Sequence, residues 1–224
     1  MPITNSAPSP IQRFTGTLVS RLYNVQTVAD GAYRSAQIYH SHLPLILDRY
    51  QIGSLLNLRG KHPNSPWYKK EQSVCKSKGV QHLSAILNSR WIPLQKDLVE
   101  LFEAFETAPR PILMKCSGGA DRTSLASALF ILFQATTEPS KRKLIETIQI
   151  AKRQIRFFPY LHLPKKHQRW IKYFLDFYVE DHDNLNPVEW AQQGYQWEHF
   201  AKYMLDRGLS GYWAGPYLEE QKGS

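Results

Sequence analysis

Between Lys115 and Ser124 the chain reads KCSGGADRTS. A cysteine, a short run of small and polar residues and an arginine lie between the apolar run Ile112, Leu113, Met114 and a helical pattern from Leu125 to Phe133. Glycines at 118 and 119 allow a backbone curl in which successive N–H groups point inward, and a helix starting near Arg122 adds its positive end to the same spot. Such a cradle, built from Ser117, Gly118, Gly119 and Ala120, holds an anion. The same field favours thiolate over thiol at its base, which makes Cys116 a nucleophile. Arg122, one turn on, offers a planar fork to two phosphate oxygens. In this chemistry sulfur attacks phosphorus and no metal or other cofactor takes part. Consistent with that, the eight histidines (40, 42, 62, 82, 162, 167, 182, 199) are scattered, without ligand spacing.

Cys116, Arg122 and Thr123 fill the signature Cys, five residues, Arg, Ser or Thr. On these residues the chain resembles the cysteine-dependent tyrosine and dual-specificity phosphatase superfamily. YRSAQ at 33 to 37, LLNLRG at 55 to 60, and GADRT followed by LASALF are similar to its bacterial dual-specificity-like branch. The resemblance spans roughly residues 20 to 180. It implies a cysteinyl-phosphate intermediate, with Thr123 donating a hydroxyl hydrogen bond to the sulfur as it leaves. Two positions depart from the pattern: Lys115 stands where most members have His, and Ser124 where Gly is usual. Lysine supplies positive charge but accepts no hydrogen bond as imidazole does. A phosphate-binding relative without turnover is therefore a competing reading. A sulfurtransferase or arsenate reductase fits a chain of this size, with Arg-Thr closing the loop, less well.

A leaving oxygen needs a proton, and the family usually supplies it from an aspartate on a preceding loop. The corresponding segment Asn88 to Pro93 holds no carboxylate. Asp121, inside the loop, and Asp97, the first carboxylate after that segment, are the two candidates, with Asp121 slightly favoured. A carboxylate beside a bound dianion is repelled unless it carries a proton, which counts against Asp121. Asp97 lies at the start of a helix, where it is equally suited to the helix dipole. Arg59 after LLNL, Lys61, and Arg90 in the preceding loop are candidates to line the mouth, whereas Arg34 reads as structural.

The net charge of +9 is not evenly spread. Ten basic residues between Ser140 and Lys172 (Lys141, Arg142, Lys143, Lys152, Arg153, Arg156, Lys165, Lys166, Arg169, Lys172) face one acid, Glu146, which accounts for the whole excess. A solvated helix face is one reading. The other is an anionic partner: a phosphorylated protein or polyphosphorylated ester as substrate, or an acidic membrane surface. Nucleic acid is not expected, because no base-reading module surrounds the charges. Only two cysteines, Cys75 and Cys116, exclude a disulfide framework and suit a reducing, cytoplasmic setting. No apolar run reaches the length needed to cross a bilayer.

The site requires elements to hold it. Residues 23 to 35 read as two strands turning at Asp30-Gly31, Ser41 as a helix cap, Ser54 to Leu58 as a buried strand, and Pro66 to Lys76 as a helix. Val80 to Ala85 reads as a strand, Leu94 to Thr107 as a helix, and a further strand ends at Cys116. Helices are expected over Ser124 to Gln134, Ser140 to Gln154 and Pro164 to Val179. The alternation predicts a single α/β domain, a mostly parallel central sheet with helices on both faces, and an active loop at the carboxyl end of a strand. Residues 1–20 read as a flexible tail, 21–180 as the phosphatase-like domain, and 181–224 as an aromatic-rich helical extension. In that extension Trp190, Trp197 and Met204 recur seven apart, as on one helix. A packed helix is the plain reading, and a lid, dimer contact or interfacial anchor the alternative. The oligomeric state is not legible.

Overall fold

The computed structural model describes residues 10–137, 141–160, 162–163, 165–209 and 213. Its centre is a five-stranded sheet in the order β1-β2-β5-β3-β4. The strands are β1 (Gln26–Ala29), β2 (Ala32–Ser35), β3 (Ser54–Asn57), β4 (Gln81–Ser84) and β5 (Ile112–Lys115). β1 and β2 form the expected hairpin, with Gly31 at φ +64°, a conformation that favours glycine. β2, β5, β3 and β4 run parallel. β3 and β5 are buried along their whole length, as strands covered on both faces must be.

Side chains alternate across the pleat, so neighbouring residues feed opposite cores. Leu55 and Leu113 join one cluster with Val19, Leu43, Ile46 and Cys75. That face is covered by α1 (Pro10–Leu22), α2 (Leu43–Arg49) and α3 (Pro66–Ser77). Leu56, Ile112 and Met114 join the other cluster with Leu101, Phe105, Leu129 and Phe174. Its helices are α4 (Gln95–Thr107), α5 (Asp121–Gln134), α6 (Lys141–Arg153) and α7 (Ile171–Asp181). Among the described residues no helix is long and apolar enough to cross a membrane.

Four details differ from expectation. The anticipated tail is helical from Pro10, while residues 1–9 lie outside the described residues. α1 escaped notice because its buried face is Gly16, Val19 and Ser20, whereas Leu18 and Leu22 are exposed. Ser41 does not cap α2: His42 precedes the first turn, and its Nδ1 pairs with the Tyr23 hydroxyl at 2.8 Å. α7 starts at Ile171, because Lys166–Gln168 form a separate 3-10 turn. Finally, the stripe of Trp190, Trp197 and Met204 is not one helix. The turn α8 (Pro187–Glu189) runs into a π-helix, Trp190–Gly194, and the chain then restarts as α9 (Trp197–Asp206).

This C-terminal segment shares the main core. Trp190 and Tyr195 pack at 4.9 Å between ring centroids, and Phe174 meets Phe200 at 5.1 Å. It also grips the loop before α4. The Tyr195 hydroxyl donates to Pro93 O at 2.7 Å, and Ile92 N–H donates to Trp213 O at 3.2 Å.

Candidate active site

Register decides what meets. Ser35 and Asn57 lie level with Lys115 at the carboxyl ends of β2, β3 and β5. Gln37, Arg59 and Cys116 therefore leave the sheet at one edge. Cys116 is buried at the base of the loop, and Ser117 to Ala120 curl into the first turn of α5 at Asp121. N–H groups in that turn have no helical acceptor and are free to bind an anion.

The loop cannot take a larger backbone footprint at Gly119. Its φ is +66°, and a Cβ there would stand 2.6 Å from Ala36 N and 2.8 Å from the Ser35 carbonyl carbon. The hairpin thus presses on the loop. Gln37 N–H donates to Ser117 O at 3.0 Å, and Arg34 Nη2 donates to Gly119 O at 3.0 Å and to Ser124 Oγ at 2.8 Å. Arg34 Nη1 donates to Gln154 O and Oε1 at 2.8 and 3.0 Å, and its guanidinium lies 4.1 Å from the Tyr160 ring centroid. Burial brings Arg34 down to about 10, against the raising charges of Tyr160 and Cys116. Full pairing is what makes a buried guanidinium tolerable. Ser124, the departure from the usual Gly, supplies one of the acceptors.

Arg122 spans the loop, Nη2 donating to Ser117 Oγ at 3.2 Å, while its Nε is buried without a partner. An unpaired buried donor in a curl of backbone N–H groups is suited to an oxyanion. Arg59 is brought to the same mouth. Burial first, and then the Arg122 charge, hold its pKa below the usual value, and its guanidinium lies 4.1 Å over the Trp67 ring. Arg90 is exposed, and its N–H turns back onto Asn88 Oδ1; no described contact brings it to the loop. Thr123 Oγ1 is buried without a partner, so it makes no hydrogen bond to the Cys116 sulfur in this structure.

The two candidate acids separate. Asp97 accepts from Leu94 N–H at 3.0 Å and so closes the first turn of α4; burial pushes its carboxyl above the usual range. Its described partners include nothing from the loop. Asp121 stays at the loop, partly exposed, with Oδ2 accepting from Gln168 Nε2 at 2.8 Å and Oδ1 lying 3.3 Å from Nε2 of the buried His162.

Lys115 takes no part in the cradle. It is 1% exposed, with Nζ 2.7 Å from Glu71 Oε2, 2.9 Å from Gln37 Oε1 and 4.9 Å from the Trp67 centroid. Glu71 also meets Gln37 Nε2 at 2.7 Å and His82 Nε2 at 2.8 Å. Burial opposes the Glu71 charge, but the His82, Lys115 and Gln37 contacts outweigh it and hold the carboxyl below its usual range. This stabilisation is present above the ordinary carboxylate pKa and is lost as pH falls through the folded value. Glu71→Gln strands the Lys115 charge and should cost about 3 to 5 kcal/mol. It should also flatten the acid limb of a Tm against pH profile, and thermal unfolding across the acid range measures both. Cys75, nearby in α3, is fully buried, and burial followed by the Glu71 charge pushes its thiol up to about 12, so it is inert at neutral pH.

Glu71, Gln37, Gln154, His162, Gln168 and Trp67 were not singled out from the sequence. Gln37 alone carried a signal, as the last residue of YRSAQ.

Neither a protein-family model nor a curated relative matches the sequence. Solved structures do match. A mutant form of Tk-PTP aligns with TM-score 0.50 at 14% identity, over 70% of this chain and 96% of that one. The active form of Tk-PTP gives 0.48 at 15%, over 68% and 95%. The core catalytic domain of a PP-IP phosphatase from S. cerevisiae gives 0.44 at 19%, over 74% and 90%. At this identity the likeness is one of fold: the chain shares its α/β architecture with Tk-PTP.

Proposed function

We propose that the chain is a phosphomonoester hydrolase acting through a cysteinyl-phosphate intermediate. The observation that carries this reading is the loop itself: a buried cysteine beneath a curl that only glycine permits at 119, spanned by an arginine with an unpaired buried donor. Cys116 Sγ attacks phosphorus in line, the P–O bond to the leaving group breaks, and that oxygen takes up a proton. Water then attacks phosphorus, the P–S bond breaks, and thiolate and inorganic phosphate result. Loop N–H groups and Arg122 match the equatorial oxygens in both transition states.

Asp121 is the proton donor in this reading. Its support is position: Asp97 is occupied at the helix start, whereas Asp121 sits beside the loop on Gln168 and His162. Asp121→Asn should slow hydrolysis by about 10²- to 10⁴-fold for an alkyl phosphate and much less for a nitrophenyl phosphate, whose leaving oxygen is already stable. Asp97→Asn should instead lower Tm with no dependence on leaving group. Equal slowing across leaving groups in Asp121→Asn would assign it to loop structure.

A protein tyrosine or dual-specificity phosphatase is the finer reading. An apolar recess of about 420 Å³, lined by Tyr23, Ile38, Tyr39, His40 and Trp67 with Lys70 on its wall, adjoins the loop through Gln37. A recess of that lining suits an aryl leaving group. Inositol phosphates or phospholipid headgroups are the second reading, favoured by Arg59 at the mouth and the basic residues 140–172, of which Lys141, Arg142 and Lys166 have side chains outside the described set. Comparing kcat/KM on a phosphotyrosyl peptide and an inositol polyphosphate separates the two.

A further inference from the structure

We propose that the described residues between Arg153 and Lys172 form an interfacial surface that seats the protein on an anionic lipid bilayer with the active loop beside the lipid. Among the described residues Phe158, 81% exposed, and Leu163, 74% exposed, are the two most exposed large apolar side chains, and Phe157 is 57% exposed. They fall within one short stretch after α6. In the same stretch Arg153, Arg156, Lys165, Arg169 and Lys172 are all exposed, and no acidic residue occurs between Arg153 and Lys172. Exposed apolar tips flanked along the chain by exposed cations suit the boundary between acyl chains and anionic headgroups: the apolar side chains enter the interface while the cations stay at headgroup level. A nucleic acid or an acidic peptide would use the charges, but it leaves Phe158 and Leu163 without a role.

The surface is tied to the catalytic loop at both ends. Before Phe157, Gln154 accepts both Nη1 hydrogen bonds of Arg34, and between Phe158 and Leu163, Tyr160 lies under the same guanidinium. His162, just before Leu163, and Gln168, after it, close on the Asp121 carboxylate. A membrane under Phe158 and Leu163 therefore lies next to the mouth. Docking does not depend on the catalytic reading, so the test reads binding and turnover separately.

The test is flotation of the full chain with vesicles of phosphatidylcholine alone and of phosphatidylcholine with phosphatidylglycerol. Wild type should partition onto the anionic vesicles and not the neutral ones, with binding falling as salt rises. Phe158→Ser with Leu163→Ser should lower the partition coefficient by about tenfold or more. Each neutralisation among Arg153, Arg156, Lys165 and Arg169, to Gln, should lower it roughly fivefold. Phe158→Ser with Leu163→Ser should leave hydrolysis of a small aryl phosphate unchanged, which shows that fold and site are intact. Equal binding to neutral vesicles, unchanged binding by the apolar double variant, or a dimer that the double variant dissolves would overturn the proposal, the last by assigning the patch to a second copy. Vesicle binding without any phosphatase activity would leave the docking standing and sink the catalytic reading alone.

Discussion

Cys116→Ser should abolish turnover of an aryl phosphate, by about a thousandfold or more in kcat, while inorganic phosphate still binds within a few-fold of wild type. The hydroxyl is a far weaker nucleophile than a thiolate held in an anion site, so the first bond to phosphorus fails to form. Phosphate binding rests on different groups: the loop N–H donors and Arg122, none of which is altered. Steady-state kinetics with titration of phosphate by calorimetry reads both. Activity close to wild type would remove Cys116 from the mechanism. Loss of phosphate binding together with activity would mean that the sulfur holds the loop together rather than reacting.

Gly119→Ala should be nearly as damaging although it deletes nothing. A methyl at 119 would stand 2.6 Å from Ala36 N and 2.8 Å from the Ser35 carbonyl carbon, both backbone atoms of the hairpin that cannot swing aside. The residue is also at φ +66°, where an L side chain is strained. Relief requires the loop to lift from the hairpin, which breaks the Arg34 bond to Gly119 O. A displacement of that kind should cost about a hundredfold or more in kcat/KM. Stability should fall by roughly 1 to 3 kcal/mol. Gly118→Ala is the internal control, because a Cβ at 118 meets nothing within 4 Å. Similar kinetics for the two variants would mean that close packing on the hairpin is not what shapes the cradle.

Much of the frame was legible because its signals are local. The strands β3 and β5, the hairpin turn at Gly31 and the span of α4 are written in apolar runs, turn residues and spacing. Cys116 and Arg122 could be placed together for the same reason, since one loop joins them. Partners supplied from elsewhere were not legible. Arg34 reaches Gln154 across 120 positions, and Asp121 reaches Gln168 across 47. A glutamine at such a position looks like any surface glutamine until the chain has folded. Glu71 is harder still: in WYKKEQ it reads as the acid of an exposed charged helix, yet it is 3% exposed. The C-terminal stripe misled in the opposite way, because its spacing survives a break at Gly194 that spacing alone does not reveal. Asp97 stands where the order of elements would put a catalytic acid, and its carboxylate accepts from Leu94 N–H at the start of α4, a contact its place in the sequence equally allowed.

The contact between Lys115 and Glu71 limits how far either residue can be exchanged alone. Either residue exchanged alone leaves a charge walled off from water, next to the loop. The two exchanges should therefore not add: Lys115→Met with Glu71→Gln should cost less stability than the sum of the two made singly.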